Sequence, residues 1–156
     1  MIVMLRTIAS ELRPRALDDL GLTAALESQA QEFQGRTGIH CHVDVPRAPL
    51  VLDNERATAI FHIFQESLTN VARHAQATRV DARLESAGDQ LPLEVKDHGI
   101  GFDAEEAKEG KSLGIVGMRE RALLLDGELT FKRRLVAGTI LTLRIPLSLP
   151  IPLEQN

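Results

Sequence analysis

Tryptophan and tyrosine are absent from these 156 residues, and five phenylalanines bring the aromatic share to only 3%. Base stacking on a single-stranded nucleic acid therefore has almost nothing to work with. Basic residues are also in short supply. The 18 Lys and Arg against 22 Asp and Glu leave a net charge of -4, with no basic stripe to serve as a nucleic-acid surface. A single cysteine, Cys41, excludes an internal disulfide and fits a reducing cytoplasm. No apolar run approaches the roughly 20 residues that span a bilayer. The opening, MIVMLRTIASELRP, is charged too soon to read as a signal peptide. Also missing are a Gly-rich loop ending in Lys-Ser/Thr, a GxSxG elbow and an HExxH pair, so P-loop, esterase and zincin chemistries are out. What is present is the composition of a soluble globular chain, 44% hydrophobic and 26% charged, at the length of about one domain.

Periodicity organises the chain. Ile2, Leu5, Ile8 and Leu12 recur at helical spacing until Pro14 interrupts them. Residues 15–21 read as a connector ending at Gly21. Leu22, Ala25, Leu26, Ala30 and Phe33 mark a helix over 22–34, stopped by Gly35 and Gly38. Residues 39–45 alternate as a half-buried strand. The longest helix is expected over 53–74, capped by Asp53 and striped by Ala57, Ile60, Phe61, Phe64, Leu68 and Val71. Strands near 78–86 and 91–97 flank a turn at Gly88-Asp89. A polar stretch, 103–113, offers Asp103 and Glu106 as a capping box. A further helix begins near Gly114, and strands near 128–135 and 139–146 form a closing hairpin. The order predicts an α/β, or α+β two-layer, fold: one mixed sheet with helices on one face.

Three clusters carry chemistry. Glu66 and Asn70, four residues apart, share a helix face away from the apolar stripe, and Arg73 and His74 extend that polar side. A carboxylate, a carboxamide oxygen and a cation on one surface suit magnesium with a triphosphate; a solvated helix face has the same pattern. Asp97 closes a strand and precedes Gly99 and Gly101. Its carboxylate can accept from an exocyclic amine such as adenine N6, and the glycines admit a flat base. The same residues also suit a tight turn. Gly114 and Gly117 flank a helix start, where free N–H groups favour phosphate, and Lys111 in the polar segment before them is a phosphate candidate or simply exposed. His40 and His42 share a strand face but lack a third ligand nearby.

Together these motifs resemble the catalytic ATP-binding domain of sensor histidine kinases, in the group that includes DNA gyrase, Hsp90 and MutL. Gln65 through Ala75 resembles the asparagine box, Asp97 through Phe102 the first glycine box, and Leu113 through Arg121 the second. Gly138-Thr139 matches the threonine motif on the last hairpin. Leu12 through Leu22 resembles the junction between dimerisation and catalytic domains in the nitrate-sensor subfamily that partners NarL. The resemblance implies a Bergerat-type fold that binds ATP and Mg2+. It assigns Asn70 to the metal and Glu66 a supporting catalytic role. Arg73 and His74 would face phosphates, Asp97 the adenine amine, and Thr139 a hydrogen bond near the base. Gly99, Gly101, Gly114 and Gly117 would shape the pocket and lid.

The sequence departs from the family pattern twice. His98 stands where Asn or Asp is usual, an exchange expected to tune the pocket rim. None of the five histidines has the context of a phosphoacceptor, so the chain resembles a fragment lacking its substrate histidine. The implied organisation is the end of a dimerisation helix and linker over 1–21, the catalytic domain over 22–147 and a tail over 148–156. The implied partners are a dimerisation and phosphoacceptor domain within a homodimeric parent, and a response regulator. An anti-sigma-factor-type serine kinase and a non-catalytic nucleotide-binding module are the alternatives.

Overall fold

Strict alternation builds the sheet. Val80, Ala82 and Leu84, then Leu91, Leu93 and Val95, then Leu141, Leu143 and Ile145 are all buried, while the residues between them, Pro92 apart, carry charge or hydroxyl. Side chains of period two face one side only, so one face is apolar and must be covered. A computed structural model describes residues 15–47, 50, 52–100, 113–133 and 138–147. Its elements are α1 (Arg15–Leu20), α2 (Leu22–Thr37), β1 (His40–Asp44), α3 (Asn54–Asn70), a π turn (Val71–Ala75), β2 (Arg79–Leu84), β3 (Gln90–Asp97), α4 (Leu113–Leu124), β4 (Glu128–Arg133) and β5 (Thr139–Pro146). The five strands lie in the order β1-β2-β3-β5-β4. β1 runs parallel to β2, and every other pairing is antiparallel. The mixed α/β sheet expected from the sequence is therefore present, with the helices packed on its apolar face.

Phe33 of α2 and Ile60, Ile63 and Phe64 of α3 are fully buried at the centre of that layer. Asp53 caps α3 by accepting the Arg56 backbone N–H at 3.3 Å, and its carboxylate holds the Arg56 guanidinium at 2.7 Å. Partial burial raises the Asp53 carboxyl, but its hydrogen bonds from Arg56 prevail and hold it below the ordinary value. Arg56 is only 3% exposed and donates Nε to the Pro146 carbonyl at 2.6 Å. One buried cation thus fastens the start of α3 to the end of β5.

Three boundaries differ from the sequence expectation. Residues 15–20 are helical, and Leu17 joins the core at 3% exposure, so the expected connector is a packed element. α2 runs through Gly35 and ends only at Gly38, whose φ of 77° places it in the left-handed region. α3 does not continue as α-helix to residue 74, because the backbone widens into the π turn after Asn70. The capping box at Asp103 and Glu106, the helix over 2–12 and the tail lie outside the described residues.

Cys41 is half-buried on β1 against the core. Burial, and then the nearby Asp81 carboxylate, push its thiol up from 9.0 to about 11. Only the thiolate attacks, so iodoacetamide at pH 8 should modify the folded chain roughly a hundredfold more slowly than the urea-unfolded chain. Equal rates in the two states would put Cys41 in solvent.

Candidate functional site

Because Ile60, Phe64 and Leu68 turn inward, α3 presents Glu66 and Asn70 half-buried on its other side, one turn apart. The hydroxyls of the adjoining Ser67 and Thr69 are occupied by backbone carbonyls of their own helix, at 2.7 Å and 3.1 Å. Glu66 and Asn70 make no such bond among the described residues, so both offer oxygens outward. Asn70 is the last α-helical residue. From Val71 to Ala75 the bonding pattern is that of a π-helix, and Gln76, at a φ of 50°, turns the chain away. Arg73 is exposed within this turn, while the side chain of His74 lies outside the described residues.

On the sheet, two polar side chains interrupt the apolar face at neighbouring strand ends. Asp97, the last residue of β3, is 6% exposed, and Thr139, the first of β5, is 7% exposed. The ladder between these strands runs as far as Lys96 with Ile140, and Asp97 and Thr139 each follow one residue beyond. Asp97 Oδ1 accepts the Gly99 backbone N–H at 3.0 Å, which fixes the turn leaving β3. Gly138 presses on the same residue from the neighbouring strand. Its φ is +101°, and an added Cβ would lie 2.9 Å from the Asp97 carbonyl carbon and 3.1 Å from Oδ1, with the carbonyl oxygen closer still.

α4 packs on α3 and β4. Gly114 and Gly117 both lie inside its first turns, where the sequence placed them at its start. Among the described residues a Cβ on Gly117 would meet only open space. Gly101 and Lys111 lie outside the described residues. Thus Asn70, Asp97 and Thr139 fall at the ends of packed elements, Glu66 one turn before the end of α3 and Gly99 in the turn after β3, while Arg73 and the backbone of His74 lie in the π turn and Gly114 and Gly117 in α4.

Sequence reading missed two features. Nothing in the chain flags the contact of Gly138 with Asp97, which only the β3–β5 register creates. His98 is the second: its Nε2 lies 3.0 Å from Asp81 Oδ2 on β2. The single available hint was Arg79-Val80-Asp81, which puts a cation and a carboxylate on one strand face.

A mixed five-stranded sheet covered by helices on one face, with an acid at an inner strand end, is the frame of an ATPase domain. Residues 55–149 match the family model for histidine kinase-, DNA gyrase B- and HSP90-like ATPases, and the chain belongs to that family. It is 36% identical over 143 residues to the oxygen sensor histidine kinase NreB of Staphylococcus carnosus, covering 92% of this chain and 41% of that protein. It is 39% identical over 154 residues to the sensor histidine kinase MctS of Rhizobium johnstonii, covering 97% and 33% respectively. The chain thus spans between a third and two fifths of the curated relatives it matches. The histidine kinase domain of the Erythrobacter litoralis EL346 blue-light activated kinase superimposes with a TM-score of 0.70 at 29% identity, over 81% of this chain and 61% of that one.

Proposed function

We propose that this chain is the catalytic domain of a sensor histidine kinase, supplying the ATP γ-phosphoryl group to a histidine on a dimerisation domain for relay to a response regulator. The observation that carries the reading is Asp97, a carboxylate set at a strand end on the helix-facing side, fixed by Gly99 and abutted by Gly138. A buried carboxylate at that position can accept from an exocyclic amine such as that of adenine. In the family pattern Thr139 would bond near the same base. The N–H groups of the first turn of α4, and the space over Gly117 among the described residues, would suit the phosphates. Arg73 would add positive charge, as would His74 in the family pattern, and Lys111 in the polar segment before α4 is a further phosphate candidate.

The oxygens of Asn70 and Glu66 fit magnesium, which takes one or two protein ligands and fills its octahedron from water and phosphate. When bound, the ion supplies charge neutralisation to the triphosphate. Asn70 would hold it through the carboxamide oxygen, and Glu66 would orient water one turn earlier. Catalysis of this kind is mostly positioning and charge neutralisation, so the acceptor histidine must be brought in line by the dimerisation domain. A need for ATP favours the cytoplasm, and the family pattern implies a homodimeric parent. No helix among the described residues is long and apolar enough to cross a membrane. The names of the relatives favour a histidine over the serine substrate of an anti-sigma-factor kinase.

Mixing the chain with a separately produced helical hairpin carrying a His-Asp motif and with γ-labelled ATP tests the proposal. Acid-labile label on the hairpin histidine is expected, and the chain alone should stay unlabelled. Binding of ATP without any transfer would favour the non-catalytic module. Asn70→Ala should weaken ATP about tenfold with magnesium present and leave magnesium-free binding unchanged. An equal loss in both conditions would make Asn70 structural.

A further inference from the structure

Asp97 is fixed on the helix-facing side by Gly99 and Gly138, but the residue after it is anchored on the opposite, open face of the sheet. Its backbone N–H donates to the Arg79 carbonyl at 3.2 Å, extending the β2–β3 ladder one residue beyond Val80 with Asp97. Its ring donates Nε2–H to Asp81 Oδ2 at 3.0 Å. Asp81 is in turn gripped by Arg79, whose Nε reaches Oδ1 at 3.2 Å and Oδ2 at 3.0 Å, while Nη2 reaches Oδ1 at 3.1 Å. The imidazole therefore docks on a carboxylate already oriented by a two-pronged guanidinium.

We infer that His98 is a positioning residue for nucleobase recognition: clamped by Asp81 and Arg79, it fixes from the open face the turn that presents Asp97 and Gly99 to the base. The inference rests on the adenine reading of Asp97 made above. Exposed ion pairs contribute little to stability, so the clamp is poorly explained as a fold stabiliser. Its geometric effect is larger. Residues 97 and 99 bond to each other, and residue 98 between them is tied to β2 by both backbone and ring. Release of the ring lets that peptide pivot and moves both neighbours. An Nε2–H is present in the charged ring and in one neutral tautomer, so the clamp holds in either protonation state. Partial burial raises the Asp81 carboxyl, but the bonds from Arg79 and His98 outweigh it and keep the group below its ordinary range.

The test compares ATP, GTP and inorganic tripolyphosphate binding by calorimetry in the 156-residue chain and in His98→Ala, His98→Gln, Asp81→Ala and Asp81→Asn. His98→Ala and both Asp81 variants should lose about fivefold in ATP affinity, in the range of one net hydrogen bond. Their affinity for GTP and for tripolyphosphate should not change. His98→Gln, whose amide can donate to Asp81, should recover ATP affinity. Faster amide exchange at Gly99 in the alanine variants is the accompanying signature. Undiminished preference for ATP over GTP in His98→Ala overturns the inference. So does a parallel loss for all three ligands, because a merely structural role would weaken them together. Failure of the unmodified chain to prefer ATP over GTP would sink the adenine reading itself, and the inference with it, and is visible before any variant is made.

Discussion

Gly138→Ala should leave a destabilised domain with no measurable ATP binding. The residue sits at a φ of +101°, and the new Cβ would stand 2.9 Å from the Asp97 carbonyl carbon, closer than real Cβ atoms come. Backbone strain in such a region costs on the order of 1–3 kcal/mol, and forcing extra volume into packed structure adds roughly the same. Neither neighbour can yield cheaply. The clash is with main chain, and Asp97 is held in the ladder by Val80. A combined loss of about 3 kcal/mol would lower the melting temperature by roughly 10 °C in a domain of this size. Gly88 is the natural control. Its φ is +63° but a Cβ there meets nothing within 4 Å among the described residues, so Gly88→Ala should cost only about 1 kcal/mol. Similar melting temperatures for the two variants would mean that the Asp97 contact is not what demands glycine at 138.

Asp97→Asn should reduce ATP affinity roughly ten- to a hundredfold, the equivalent of a charge-assisted hydrogen bond of about 1.5–3 kcal/mol. The substitution separates two jobs. An asparagine carboxamide oxygen can still accept the Gly99 N–H that Oδ1 accepts at 3.0 Å, so the turn should survive. The other oxygen becomes an NH2 group, which faces the adenine amine donor to donor. Calorimetry should therefore record the loss with little change in thermal stability. Unchanged affinity would remove Asp97 from the site.

Much of the architecture was legible because the sheet is half-covered. Strict alternation in β2, β3 and β5 needs no tertiary information to reveal which face is buried. The failures have local causes. In residues 15–20 the core anchor of known burial is Leu17, too little for a periodic signal, and Pro14 and Gly21 bracket them like a loop. Gly35 is tolerated inside α2 at a cost of roughly 1 kcal/mol. Which of two nearby glycines ends the helix depends on which takes up the left-handed conformation, and composition does not say. The π turn after Asn70 has no residue signature at all. At the candidate site the motif residues were readable because their types and order are chemically constrained. Gly138 against Asp97 and His98 against Asp81 were not, since each contact exists only once two strands have fallen into register.

The parallel pairing of β1 with β2 sets an order of assembly. β2–β3 and β4–β5 close through short connections, whereas β1 can meet β2 only across all of α3 and the π turn. Long closures carry the larger entropic cost and form slowly. During synthesis β1 is therefore an orphan strand, complete long before its partner leaves the ribosome. Unprotected strands of that kind invite pairing between chains. β1 is only five residues long and carries His40, His42 and Asp44, all exposed. A short strand with polar and charged side chains is a poor template for a stranger. Among the described residues no third ligand stands beside the two histidines, and on this short strand their polar rings suit an exposed edge better than a metal site.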